Sequence, residues 1–463
     1  MSLKAALEAD QEIPESWSTY MSVVYGGRVP PLVGSYDPDK LEEAAREKLK
    51  AEPYSKAAFL YVFGSAGAGS TDRANRKAFE RWALIPKMLV DSSDRSLETT
   101  LFGVKYKSPL LLAPIGVHGM IHPEGEVCAA AACSRMQVPF IMSTAATRSL
   151  EDCAAANGAG PRWYQLYWPR SEAITLSLLA RAKTSGYSAC IVTLDTMCMG
   201  WRPYDLDTAF LPFMHGVGIQ VGTSDPAFMA SQQLEARPDE RAPFPFDPAE
   251  LDAKRAAGDE HEIQMKQLGR NWARQIHSGL FRTWEELAFV RKHWEGPLML
   301  KGIMTLDDAL KAMEVGCDGI IVSNHGGRQI DGCLPALMAL EKITGDSRIK
   351  EAQLAGKFTV LFDSGIRRGS DIVKAVAIGA QAVLREYRPP SLSSTVMTSI
   401  LVGRPYMYGL ALAGSEGVEQ VVRGLLCETE ITLGLCGYTS IDQIWHKREE
   451  FMQKIEYPGM FSA

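Results

Sequence analysis

LMLKGIMTLDDALKAMEVGCDGIIVSN, residues 298–324, sets two short apolar runs on either side of a stretch with helical period. The runs LMLKG (298–302) and GIIVSN (319–324) are apolar at successive rather than alternate positions, which suits strands buried on both faces. Between them LDDALKAMEVG (306–316) repeats its apolar residues at helical spacing and closes on a glycine suited to a helix C-cap. A buried strand, a helix and a second buried strand form one unit of parallel sheet with its crossover.

The same alternation continues outward in both directions. Strands are predicted at PLLLAP (109–114), FIMS (140–143), WYQLYW (163–168) and ACIVTLD (189–195) before this unit, and at FTVLFD (358–363) after it. An eighth is broken into AVL (382–384) and LVGRP (401–405). Helical stretches such as EAITLSLLARAKTSG and GSDIVKAVAIG lie between most of them. Eight such units predict a (β/α)8 TIM barrel, favoured over an open doubly wound sheet because the unusual polar residues cluster just after strand ends. Residues 1–108 are expected to form a helical segment packing on the barrel, 109–445 the barrel, and 446–463 a C-terminal tail. The long stretch from about Pro203 to Arg274 separates the fourth and fifth strands and is expected to be a functional lid or a disordered segment.

Composition narrows the partners. Of 463 residues, 46% are apolar and 22% charged, with a net charge of −6, so no basic face for nucleic acid or an anionic membrane is expected. No apolar run is long enough to span a bilayer, the N-terminus does not read as a secretory signal, and GMFSA is not the SKL type of peroxisomal address. These features suggest a cytoplasmic protein. Nine cysteines without CxxC spacing suggest packed, reduced thiols, and no metal site is expected; His118 and His122 lack carboxylates at ligand spacing. Trp163, Trp168 and Trp201 are expected to pack, and GSAGAG (64–69), which follows no clear strand, is not expected to be a dinucleotide fingerprint.

In a barrel of this type the active site is built where strands end. His325 and Arg328 follow the run GIIVSN, so their side chains are expected at the barrel mouth. Such a histidine can take a proton near neutral pH, and an arginine three residues on can hold a carboxylate through two hydrogen bonds. The alternative is a capped loop with a histidine satisfied by backbone; Lys301 and Arg202 at other strand ends favour the functional reading. Lys301 closes an apolar strand and is suited to a Schiff base, to phosphate, or to negative charge on a reduced cofactor. DSGIRRG (363–369) and GRP (403–405) place glycines and arginines after strands seven and eight, where barrels bind phosphate.

The motifs SNHGGRQID (323–331), APIGV (113–117), QLYW (165–168), VTLDT (192–196), LMLKG, DSGIRRG and GRPYMYG (403–409) together resemble the FMN-dependent L-2-hydroxy acid oxidase and dehydrogenase family, over roughly residues 55–445. YVFGSAG (61–67), STAA (143–146) and GWRP (200–203) look most like lactate 2-monooxygenase within it. The resemblance implies FMN as cofactor and a small L-2-hydroxy carboxylic acid, lactate-like, as substrate. It implies His325 as the base, Asp195 as its support, Tyr167 on the substrate hydroxyl, and Arg328, Arg202 and Tyr61 on the carboxylate. Lys301 would face the reduced flavin edge. Pro114, Ile115, Gly116, Ser143, Gln165 and Thr193 would contact the flavin ring, and Asp363, Gly365, Arg367, Gly403 and Arg404 the ribityl and phosphate. Ala145 stands where glycolate oxidases carry tryptophan, so the substrate pocket should differ. With no segment like the heme-binding extension of the flavocytochrome members, molecular oxygen is the expected acceptor, with either release of the 2-keto acid or its oxidative decarboxylation. A homo-oligomer, tetramer or octamer, is also implied.

One stretch departs from the family pattern. Family members read AVLLGRP, whereas here AVL is followed by REYRPPSLSSTVMTSIL (385–401). Proline cannot donate to a strand ladder, so the segment is expected to bulge out or displace the phosphate loop. Arg-Glu-Tyr can be encoded CGTGAGTAC, containing the splice donor GTGAGT, and Leu401-Val402 as CTAGTC, containing the acceptor TAG; excision leaves one leucine codon and restores AVLLGRP. A translated intron is therefore expected, and cDNA sequencing tests it. If the stretch is kept, an FMN- or phosphate-binding barrel without turnover is the alternative function.

Overall fold

The computed structural model describes residues 16–51, 56–380 and 399–455. Eight strands close into one barrel in chain order: β1 (Leu110–Leu112), β2 (Phe140–Ser143), β3 (Arg162–Leu166), β4 (Cys190–Thr193), β5 (Leu298–Ile303), β6 (Gly319–Val322), β7 (Thr359–Phe362) and β8 (Ile400–Val402). Every neighbouring pair is parallel. The predicted (β/α)8 TIM barrel is thus the fold, and each predicted strand but the last is found within two residues of its expected bounds.

The helices follow from local signals. Ser149, Ser171 and Thr305 each accept a backbone N–H of the first turn through their side chain, satisfying donors that a helix start leaves free. Along each strand successive side chains face opposite ways, and the burial divides accordingly. Leu111, Ile141, Trp163, Ile191, Met299, Ile321, Leu361 and Leu401 form the inner cluster. Their strand neighbours, among them Leu112, Phe140, Tyr164, Val192, Leu300 and Val322, join the outer core beneath the helices. Leu101 and Tyr106, from the hairpin Thr99–Leu101 and Val104–Tyr106, pack into the inner cluster. The barrel is therefore a filled core, and the cavity lined by Pro114 and His325 lies beyond the strands' C-terminal ends.

The eighth strand needs correction. Of the two pieces read from sequence, the later one builds it: Ile400, Leu401 and Val402 lie opposite Leu110, Leu111 and Leu112. Gly403 and Pro405, expected in the strand, instead belong to the start of the long helix Arg404–Leu435, with Gly403 as its N-cap. The run AVL (382–384) and residues 385–398 of the expected insertion lie outside the described residues. The phosphate loop is not displaced, because Gly403 and Arg404 line the same cavity as Pro114 and His325.

The stretch after β4 is folded. It carries helices Pro203–Asp207, Gln220–Thr223, Pro226–Ser231, Pro248–Ala256 and Glu260–Ile276, and buries Phe213, Phe228, Phe246 and Trp272. Of the two expectations for this stretch, disorder is excluded. Trp163 and Trp168 are buried as expected, but Trp201 is 72% exposed. Before the barrel, helix Ser70–Glu80 leads into strand Trp82–Leu84, which pairs antiparallel with Met452–Lys454. No helix among the described residues is long and apolar enough to cross a membrane.

Candidate active site

The loop after β6 sets the geometry. His325, Gly326 and Gly327 all have positive φ, at 59°, 62° and 74°. Two glycines make the left-handed turn possible, and His325 carries the strain of a residue with a Cβ in that region. Three hydrogen bonds hold it: His325 N–H to Ser323 Oγ, Gly326 N–H to Ser364 Oγ, and Gly327 N–H to Asn324 Oδ1. Helix Ser70–Glu80 presses against the turn, so that a Cβ on Gly327 would lie 2.6 Å from Asp72 N. Asn75 of that helix pairs its side-chain amide reciprocally with that of Asn324.

The turn aims His325 at Asp195. His325 Nδ1 lies 2.8 Å from Asp195 Oδ1, and Thr196 Oγ1 donates to the same carboxylate oxygen at 2.8 Å. A carboxylate only accepts, so Nδ1 carries the hydrogen and Nε2 keeps its lone pair. Burial, assisted by Lys301 and Arg202, holds the imidazole below its usual range against the opposing pull of Asp195. It is a neutral base at neutral pH. Burial disfavours the Asp195 charge, but Lys301 and His325 outweigh it and keep the group ionised.

Lys301 projects from β5 at a bulge. Its Nζ donates to Ser323 Oγ at 2.9 Å and lies 3.6 Å from Asp195 and 3.5 Å from Asp363. Burial opposes its charge, and the two carboxylates more than restore it. Gly302 beside it has φ +98°, and a Cβ there would stand 2.8 Å from the Asp195 Cβ, so only glycine lets the bulge approach this carboxylate.

Two arginines meet on the far side of the base. Arg202 donates from Nε to Arg328 O at 2.9 Å and from Nη2 to Gln329 Oε1 at 2.6 Å. Arg328 donates to Gly64 O at 2.6 Å, and its guanidinium lies over the Tyr61 ring at 5.3 Å. Burial and then Arg202 push Arg328 down to about 9, the mark of positive charge held without a matching carboxylate. Tyr167, whose phenol burial pushes up to about 12, stays protonated beside them. Tyr61, Tyr167, Arg202, Lys301, His325, Arg328 and Ala145 all line one cavity.

The same cavity runs on along Pro114, Ile115, Gly116, Asp363, Gly365, Arg367, Gly403 and Arg404. Ser143, Gln165 and Thr193 are not on its wall; they form a chain across the ends of β2, β3 and β4, with Ser143 Oγ donating to Gln165 Oε1 at 3.2 Å and Gln165 Nε2 to Thr193 Oγ1 at 2.9 Å. The residues at the far end fit a phosphate. Arg367 buries Nε and Nη2 without a hydrogen bond, and Arg404 opens a long helix, whose first turn favours anions.

Thr196, Asp72, Phe213 and His277 are among the residues at the site to which the sequence assigns no role. Thr196 lies inside the VTLDT motif. Asp72 sits in the helix after GSAGAG and pairs with Arg404. Phe213 and His277 come from the folded stretch after β4 and line the cavity, with the His277 ring tilted at 5.2 Å from the Tyr167 ring and at 5.3 Å from that of Phe213. Burial, then Arg202 and His325, push His277 down to about 3, so it is neutral, and its Nδ1 makes no hydrogen bond. Nothing in the sequence pattern marks it.

A closed parallel barrel whose mouth brings together a buried histidine held by a carboxylate, a buried lysine and four arginines suits a cofactor-dependent barrel enzyme acting on a small anion. The chain belongs to the family described as FMN-dependent dehydrogenase, whose model matches residues 51–387 and 397–451, and FMN is the cofactor of this family. The residues skipped, 388–396, fall inside the stretch that departs from the family pattern. The chain is 39% identical over 451 residues to the FMN-dependent alpha-hydroxy acid dehydrogenase qulF of Penicillium citrinum, covering 96% of this chain and 98% of that protein. It is 37% identical over 402 residues to an L-lactate oxidase of Lysinibacillus sphaericus, covering 87% and 89%. A solved mandelate oxidase with (S)-4-hydroxymandelic acid superposes with a TM-score of 0.67 at 33% identity, over 90% of this chain and 98% of that one. The protein is accordingly an oxidoreductase of the FMN-dependent 2-hydroxy acid oxidase and dehydrogenase family.

Proposed function

We propose that this enzyme oxidises a small, lactate-like L-2-hydroxy acid to its 2-keto acid with molecular oxygen as acceptor. The observation that carries the reading is the neutral His325, fixed through Nδ1 by Asp195, in the same cavity as Arg202 and Arg328, the latter in no ion pair with a carboxylate among the described residues. FMN, when bound, supplies the two-electron acceptor.

The chain's own residues do the rest. Arg202 and Arg328 hold the substrate carboxylate, with Tyr61 beside them. Tyr167 keeps its proton and bonds the substrate hydroxyl. His325 Nε2 accepts the proton that leaves the substrate, and the Asp195 carboxylate stabilises the imidazolium that forms. Lys301 offers fixed positive charge, held by Asp195 and Asp363, where negative charge gathers on oxidation of the substrate. Phe213 and His277 cover the cavity from the stretch after β4, which favours retention of the product. If the 2-keto acid leaves before oxygen reacts, hydrogen peroxide is released; if it stays, peroxide decarboxylates it to a shorter acid.

Anaerobic addition of L-lactate, and of other L-2-hydroxy acids, to the yellow protein tests the reading. Bleaching is the expected result. A yellow protein that no 2-hydroxy acid bleaches supports the barrel without turnover instead. Under oxygen, acetate without net peroxide identifies the monooxygenase outcome, and free pyruvate with peroxide the oxidase outcome.

A further inference from the structure

A carboxylate stands against the two arginines at the phosphate end of the cavity. Asp72, in the first turn of helix Ser70–Glu80, lies with Oδ1 3.0 Å from Arg404 Nη1 and 3.9 Å from Arg367 Nη2. Its Oδ2 is 3.5 Å from Arg76 Nε. Among the described residues, Asp72 is the one carboxylate in an ion pair with Arg367 or Arg404. The remaining hydrogen bonds of Arg404 go to the backbone carbonyls of Val62, Phe63, Gly64 and Gly326. The helix cannot carry Asp72 away, because its first turn is wedged against Gly327 and its Asn75 is locked to Asn324. Only side-chain rotation is open, and it leads toward Arg76, already anchored to Glu42 at 2.9 Å.

A phosphate dianion on Arg367 and Arg404 therefore meets a fixed negative neighbour that shares both of its cations, and like charges at such a site repel. Removing the carboxylate leaves the buried guanidiniums facing one another without a counter-charge. We propose that Asp72 is an internal stand-in for the FMN phosphate: it holds Arg367 and Arg404 together in flavin-free protein and competes with the phosphate for them, turning to Arg76 when FMN binds. This rests on the assignment of Arg367 and Arg404 to the phosphate. Asp72 lowers the affinity for FMN and stabilises the protein without it, two effects of opposite sign on one residue.

Asp72→Asn keeps the shape and removes the charge, with Asp72→Gln as a second variant. Flavin fluorescence titrations of the full chain with FMN and with riboflavin, which has no phosphate, are read beside melting temperatures with and without saturating FMN. The expected result is FMN bound about tenfold more tightly, riboflavin affinity unchanged, and a melting temperature lowered only in flavin-free protein. Wild-type protein that prefers FMN to riboflavin, with variants that bind FMN equally or less tightly, overturns the proposal alone. A parallel change in riboflavin affinity overturns it too, since the effect then runs through pocket shape. Wild-type protein that holds FMN no better than riboflavin removes the phosphate seat itself, and the proposal with it.

Discussion

The two ends of one cavity hold their arginines in opposite ways. At the end proposed for the substrate, Arg202 and Arg328 are aimed by neutral acceptors, the carbonyls of Arg328 and Gly64 and the Gln329 amide, and the carboxylate paired with Arg202 is Asp205, 4.0 Å away. At the phosphate end, Arg404 faces the Asp72 carboxylate at 3.0 Å. Neutral acceptors fix a guanidinium's direction and leave its charge whole, which suits an anion that arrives and leaves with every turnover. An internal carboxylate suits an anion that stays, because the cations are stabilised before it comes. The low value of Arg328 and the shared cations of Asp72 are two outcomes of the same electrostatic problem.

The largest expected effect tests whether the ends are independent. His325→Ala should slow flavin reduction by about 10²–10⁴-fold while FMN stays bound, as read by anaerobic stopped-flow bleaching and flavin fluorescence. Reduction at the wild-type rate would remove the base from the mechanism. Arg328→Met should lower kcat/KM for 2-hydroxy acids by roughly 10–150-fold and leave the FMN dissociation constant alone. Loss of flavin from this variant would break the comparison, since the two arginine pairs would then act as one cluster.

The smallest expected effect is the shift of a pH limb. Asp195→Asn should lower kcat by up to about 10⁴-fold, because the imidazole loses the carboxylate that fixes its tautomer. Burial holds His325 below the ordinary imidazole value, so wild-type kcat/KM should be flat near neutrality and fall as pH drops through a value under about 6.5. Asp195 raises the imidazole, so the variant's acidic limb should move lower still while its plateau drops. A pH profile with a wild-type limb above the ordinary imidazole value would contradict this environment for His325.

The barrel was legible in the sequence because a strand buried on both faces must be apolar along its length, and LML, FIM and GIIV, which open the runs LMLKG, FIMS and GIIVSN, are. His325, Lys301 and Arg328 were legible for a related reason: polar residues that end an apolar strand have one direction in which to point. The eighth strand was read only in part, since AVL and LVGRP compete for one ladder and pairing with Leu110–Leu112 selects Ile400–Val402. His277 and Asp72 were illegible. Neither ends a barrel strand; each is delivered by a helix whose place depends on packing, Glu260–Ile276 on the buried Trp272 and Ser70–Glu80 on Gly327 of the His325 turn.

The short pairing of Trp82–Leu84 with Met452–Lys454 bears on the order in which the molecule can be completed. Trp82–Leu84 directly follows the helix that brings Asp72 and Asn75 to the His325 turn, so one end of that helix is buckled to residues synthesised far later. A ribosome finishes His325, Lys301 and the arginines that line the cavity before it reaches residue 452, yet the two-stranded clasp after this helix cannot close until residue 454 has emerged. Contacts between segments so distant along the chain are slow to form. The nascent chain thus carries every residue that lines the cavity for some time before the buckle at the far end of that helix is fastened.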